Sequence, residues 1–191
     1  MMEPEPKKYY SPEEYLTIER EAGFKSEYYD DEIFAMAGAG RMHNLICGNT
    51  FAAIHFQLKN RSCEAYTGDM RVRVSATGLY TYPDILALCE TPRFDDEEKD
   101  TLLNPNMIIE VLSKSTESYD RGKKFAHYRT IPSLTEYVLI SQNTFLAEQY
   151  IRQKDNKWLL SEYSDPGDTI ELPSIDCILK LADVYEKVEF P

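Results

Sequence analysis

Two hydrophobic spacings alternate along the chain. Met42, Leu45, Ile46, Ala52, Ala53 and Phe56 recur at roughly helical intervals, which predicts a helix over Met42–Lys59 with one buried stripe. Ser11-Pro12-Glu13-Glu14 predicts an earlier helix start: Ser11 caps, Pro12 suits the first turn and Glu14 completes a capping box. That helix should run through Glu21 and stop at Gly23. Tyr119–Arg129, with Pro132 just beyond, and the short stretch Leu181–Tyr185 fit two more helices. Strand signals lie between them. Glu27–Tyr29 and Glu32–Met36 flank Asp30-Asp31, as in a hairpin. Met70, Val72 and Val74 alternate with Arg71, Arg73 and Ser75, so one face should be buried and the other basic. The runs Asp84–Cys89 and Met107–Leu112 are apolar apart from one acid each, as strands buried on both faces would be. Cys63–Thr67, Glu136–Ile140, Leu146–Arg152 and Trp158–Tyr163 complete the strands, the last two around Asp155-Asn156. Thr91–Asp100 is charged and reads as a surface loop. The order predicts an α/β (α+β) fold with a mixed central sheet, flanking helices and additional hairpins.

The length of 191 residues suits one domain over 1–191, with enough chain to bury a core. Charge changes the picture more. Thirty-three acids against 21 bases give a net charge of −12, which repels phosphate. That excludes coating of nucleic acid by bulk charge and leaves room for a local site. Four cysteines stand at 47, 63, 89 and 177 without a CxxC pair, which argues against a zinc ribbon and for reduced, mostly buried thiols. The N-terminus lacks the basic start and apolar run of a signal peptide, and no apolar stretch reaches the ~20 residues of a membrane span. A cytoplasmic protein without a membrane partner is expected.

The candidate chemistry starts from acids at apolar strand positions. Asp84 opens one buried run and Glu110 lies within another. A buried carboxylate is costly unless paired or metal-bound. If the two strands are neighbours, Asp84 and Glu110 converge at one sheet end and offer oxygen ligands suited to Mg²⁺ or Mn²⁺. On spacing alone an equally good reading makes Asp84 a strand-end cap and Glu110 the partner of a base. Lys123 and Lys124 follow on the next predicted helix, where a lysine could reach back over the sheet. Asp120, Lys124 and Tyr128 are four residues apart, so they share one helical side, functional or merely salt-bridged. His43 and Cys47 also share a face but lack third and fourth ligands, so His43 reads as structural or substrate-facing. Ser113 and Ser115 have no nucleophile elbow around them and fit a helix cap or a phosphate contact. Asp69 would support Arg71 or Arg73, or mark the site edge. Tyr80 and Tyr82, just before Asp84, are placed where they could stack on a base. No glycine-rich nucleotide cradle is present.

Taken together, these residues resemble the Uma-two family of restriction-endonuclease-like proteins, a branch of the PD-(D/E)xK nucleases. The resemblance rests on Ser11–Tyr15, Glu27-Tyr28, Asp30–Ile33, His43-Asn44, Asp69 with Arg71–Arg73, Tyr82–Asp84, Glu110–Ser113, Asp120 with Lys124 and Tyr128, and Glu136–Leu139. It implies a metal-dependent phosphodiester hydrolase in which Asp84, Glu110 and the Val111 carbonyl hold Mg²⁺ or Mn²⁺ and Glu27 is a further acid. The superfamily lysine two residues after the second acid is replaced by Leu112. The resemblance suggests a migrated lysine, Lys124 first and Lys123 in reserve. The leading expectation is an endonuclease cutting DNA. The alternatives are a catalytically inactive nuclease fold that binds nucleic acid or protein, and a hydrolase of small phosphoesters. A homodimer would suit duplex cleavage, which needs two strand cuts. Arg71, Arg73, Arg121, Lys123, Lys124 and Arg129 would form a small basic patch for phosphate.

Overall fold

The computed structural model describes residues 8–190; the extreme N-terminus inspected for a leader, residues 1–7, lies outside them. The capping box forms. Glu14 N–H donates to the Ser11 hydroxyl at 3.2 Å and Ser11 N–H donates to the Glu14 carboxylate at 2.7 Å, opening α1 (Pro12–Glu21). Strands β1 (Ser26–Tyr29) and β2 (Glu32–Ala35) form the expected hairpin, with Asp30 and Asp31 at φ of 52° and 62°. These left-handed values fit a tight two-residue turn. Helix α2 (Arg41–Leu58) forms, but its buried stripe is Ile46, Thr50, Ile54 and Leu58; of the six residues expected there only Ile46 is buried, and Ala52 and Phe56 face outward.

The chain continues through β3 (Glu64–Thr67), β4 (Arg71–Val74), β5 (Leu79–Thr81), β6 (Ile85–Leu88), β7 (Thr101–Leu102) and β8 (Met107–Leu112). A helical crossover follows: α3 (Glu117–Tyr119), a π-helical turn (Asp120–Lys124) and α4 (Phe125–Tyr128). Then come β9 (Glu136–Ser141), β10 (Ala147–Arg152), β11 (Trp158–Tyr163), the hairpin β12 (Thr169–Leu172) and β13 (Cys177–Lys180), and α5 (Leu181–Val184).

The mixed central sheet has six strands in the order β11-β10-β9-β8-β6-β3, with β8 and β9 parallel and the other neighbours antiparallel. Its central strands β6, β8 and β9 are buried on both faces. Ile85, Ala87, Met107, Ile109 and Val111 pack with Ile46 and Ile54 of α2 and with Ile170 and Leu179 of the β12–β13 hairpin. The alternate residues Leu86, Leu88, Ile108 and Leu112 pack with Val72, Val74, Leu79, Phe125 and Tyr128. That second layer includes a five-stranded sheet, β2-β1-β5-β4-β7.

Several expectations are corrected. Strands β5 and β7 are too short to show a period, and the β12–β13 hairpin carries a period-two burial that the sequence reading does not use. Thr91–Asp100 does more than cover the surface. Asp95 pairs with Arg73 at 2.5 Å, and Asp96 and Asp100 pair with Arg20 at 2.6 and 2.8 Å. The thiols are not all reduced: Cys63 and Cys89 form a disulfide. They flank β3 and β6, one step beyond the Glu64–Leu88 pair, so sheet register brings together two cysteines 26 residues apart. Among the described residues no helix is long and apolar enough to cross a membrane.

Candidate active site

The site forms where the β6–β8 pair ends. Ile85 and Ile109 are the last paired residues, so one further step sets Asp84 opposite Glu110. The condition of neighbouring strands is therefore met. Glu110 has the parity of Ile108 and Leu112 and faces α4, almost fully buried. Asp84 lies at the strand end, and its Oδ2 accepts a 2.8 Å hydrogen bond from the Val111 N–H. A strand residue points its N–H and C=O to the same edge. The Val111 carbonyl therefore faces the same space as Asp84.

The π-helical turn supplies the cation. It buries both Asp120 and Lys124, and such turns often mark functional positions. The Lys124 Nζ lies 2.9 Å from Glu110 Oε1 and 3.6 Å from both Glu27 and Asp120. Tyr128, one turn further, donates its hydroxyl to Glu110 Oε1 at 2.8 Å. The four-residue spacing thus puts Lys124 and Tyr128 on the Glu110 carboxylate and Asp120 behind Lys124. Lys123 is exposed and stands outside this cluster. Glu27 reaches in from β1, accepting hydrogen bonds from the hydroxyls of Thr81 and of Tyr119, the latter at 3.1 Å.

Burial sets the electrostatics. It raises the Glu110 carboxyl, opposed by the Lys124 charge and aided by Asp120 and Asp84, to about 8. Asp120 is raised too, again by burial first. For Lys124 burial acts downward, but Glu110, Glu27 and Asp120 outweigh it and hold the ammonium well above its ordinary value. Three acids, Glu27, Glu110 and Asp120, thus surround the Lys124 charge, and Asp84 acts on Glu110. Glu27, Asp84, Glu110, Asp120 and Lys124 all line a cleft of about 850 Å³ that also exposes Val111, His43, Ser113 and Tyr119.

His43 projects from α2, its Nε2 3.2 Å from Asp84 Oδ2 and its Nδ1 3.5 Å from Cys47 Sγ. Ser113 accepts from the Thr116 N–H at 3.2 Å and contacts the Ser115 hydroxyl at 3.0 Å, so it shapes the turn into α3. Asp69 marks the cleft edge through a 3.0 Å pair with the cleft residue Lys25, and supports neither Arg71 nor Arg73.

The expected basic patch does not assemble. Arg71 is buried, pairing with Asp100 at 2.9 Å and donating to the Tyr82 hydroxyl at 2.7 Å. Arg73 is held by Asp95 and Arg121 by Glu117 and Glu148. Tyr80 is buried against Tyr15 and Tyr28 and offers no face to a base; Tyr82 is mostly buried too, with its hydroxyl on Arg71 and Glu19, and only borders the cleft. Thr81 and Tyr119, which hold Glu27, are site residues that carry no sequence signal of their own.

The fold is that of a nuclease-like α+β protein. Its backbone superposes on a crystal structure described as a "putative nuclease belonging to DUF820" from Anabaena variabilis with a TM-score of 0.75, at 20% identity, covering 93% of this chain and 98% of that one. Residues 12–182 match the Uma2 family, described as "Putative restriction endonuclease", and the chain belongs to that family. Two proteins of Synechocystis sp. are similar over most of their length. Uncharacterized protein sll1609 is 38% identical over 83% of this chain and 89% of its own. Uncharacterized protein slr1290 is 35% identical over 94% of this chain and 93% of its own.

Proposed function

We propose that this protein is a divalent-metal-dependent endonuclease that hydrolyses DNA phosphodiester bonds. The observation that carries the reading is Lys124. Its amine, delivered by the crossover helix, sits 2.9 Å from Glu110 in a cleft that also holds Asp84. Leu112, at the position expected for lysine, points into the core.

The donor set fits Mg²⁺ or Mn²⁺. Asp84, Glu110 and the Val111 carbonyl are hard oxygen donors gathered at one strand end of the cleft, the donor type such ions take. When bound, the ion would polarise a phosphoryl oxygen and make coordinated water more acidic. The chain's own residues do the rest. Lys124 stays protonated and offsets charge that develops on the phosphoryl oxygens. Glu27 and Asp120 hold that ammonium in place. Tyr128 fixes the Glu110 rotamer through its hydroxyl. With Arg71, Arg73 and Arg121 committed elsewhere, substrate is engaged chiefly at the site itself, so binding should be weak and salt-sensitive.

The test is cleavage of plasmid, single-stranded and branched DNA with Mg²⁺ or Mn²⁺, beside Asp84→Ala and Glu110→Ala. Both substitutions should abolish divalent-dependent cleavage while the circular dichroism spectrum is kept. Unchanged cleavage in both would sink the reading. One observation favours a second reading, a non-catalytic binding module: the Glu110–Lys124 pair is almost closed to solvent. Under that reading the wild type binds DNA without cutting it at any divalent concentration.

A further inference from the structure

Helix α2 brings a different donor chemistry to the same strand end. The spacing of His43 and Cys47 puts an imidazole and a thiol on one helical face, and the fold adds the third donor that the helix alone lacks. One ligand atom each from His43, Cys47 and Asp84 lies within 4.8 Å of the other two. All three side chains are partly buried, and His43 and Asp84 line the cleft. The carboxylate of Asp84 lies beside the sheet edge, hydrogen-bonded to a strand N–H. Glu110 and Lys124 approach the strand end from the α4 side, whereas α2 packs on the other face of the sheet.

We propose that His43, Cys47 and Asp84 form a binding site for a borderline-soft transition-metal ion of the Zn²⁺ class. It is distinct in donors from the oxygen set proposed above and shares Asp84 with it. Thiolate and imidazole suit Zn²⁺ and Co²⁺ and give no advantage to Mg²⁺ or Ca²⁺. Three protein ligands leave a further position for water or a phosphate oxygen, the pattern of open zinc sites. The sharing of Asp84 has a consequence. Zn²⁺ at this site draws on the carboxylate that the oxygen set also needs, so the two occupancies are coupled.

The site goes beyond the nuclease reading, and its test contains no nucleic acid, so each can fail without the other. Co²⁺ is titrated into the full-length protein without added thiol reductant, and thiolate-to-cobalt charge-transfer absorption is recorded. The wild type and Cys177→Ser should show the band, and Cys47→Ser should lose it. Competition with Zn²⁺ should give binding at least about tenfold weaker in Cys47→Ser and in His43→Gln. In the wild type, Zn²⁺ should also slow iodoacetamide alkylation of Cys47, a measurement that needs no variant to fold. Absence of the band in the wild type, its persistence in Cys47→Ser, or equal alkylation of Cys47 with and without Zn²⁺ would overturn the proposal.

Discussion

Replacing Lys124 with methionine keeps the apolar stem and removes the ammonium that pairs with Glu27, Glu110 and Asp120. The informative readout is how the loss of stability depends on pH. Glu110 has its folded pKa raised, to about 8, from an unfolded value near 4.3. The sign follows directly. The stability this carboxyl contributes is fully present below the unfolded pKa and is lost as pH rises through the folded one. The loss is about 1.4 kcal/mol per pH unit and ends near pH 8 in the wild type. Without Lys124 the ionised form loses its strongest support and keeps only the Tyr128 hydroxyl, so the decline continues beyond pH 8. At 2.9 Å the lost attraction is on the order of 5 kcal/mol at an effective dielectric of about 20, enough to carry the decline past pH 10. Urea unfolding in EDTA at pH 7, 8, 9 and 10 measures this. The gap between wild type and Lys124→Met should widen by about 1.4 kcal/mol per unit above pH 8. Lys124→Met/Glu110→Gln, which has no carboxyl at 110, should show no widening. A gap that stays constant from pH 7 to pH 10 would refute the argument, because Glu110 would then not feel the Lys124 charge.

Other outcomes are expected. In the cleavage assay, Lys124→Met should lose about 10²–10³ in rate, as loss of a charge-stabilising donor does, whereas Lys123→Ala should stay close to wild type. Equal losses in both would show that the exposed lysine matters as much as the buried one. Chelation with EDTA should stop cleavage and added Mg²⁺ or Mn²⁺ restore it; cleavage that survives EDTA would remove the oxygen-ligated metal from the scheme. Reducing the Cys63–Cys89 disulfide, which spans 26 residues, should cost about 3.5 kcal/mol by loop entropy, read as a lower urea midpoint. An unchanged midpoint would mean that pairing across β3 and β6 constrains the unfolded chain little. Tyr128→Phe removes the hydroxyl bonded to Glu110 and should cost about 1–2 kcal/mol of stability, measured by the same unfolding curves.

Much of this was legible along the chain because the signals are local. The Ser11–Glu14 box, the Asp30-Asp31 turn and the extent of α2 depend on residues within a few positions of each other, whereas which stripe of α2 is buried depends on what packs against it. The apolar runs around Asp84 and Glu110 marked both as unusual acids, since an unpaired charge is costly there. The charged 91–100 stretch misled because charge alone does not distinguish a solvated loop from one that holds Arg20, Arg71 and Arg73. The same pairing removed Arg71 and Arg73 from any phosphate-binding role.

The chain alone marks the candidate residues: an acid in each of two buried strands, a lysine at helical spacing from Asp120 and Tyr128, and a histidine one turn from a cysteine. Only the tertiary structure decided which of these meet. Strand register sets Asp84 opposite Glu110 and Cys63 beside Cys89. The crossover between parallel strands β8 and β9 carries Lys124, and not Lys123, back to Glu110, and packing of α2 gives His43 and Cys47 their third donor. Each pairing joins residues far apart in the chain through backbone hydrogen bonds and core packing, which sequence spacing does not encode.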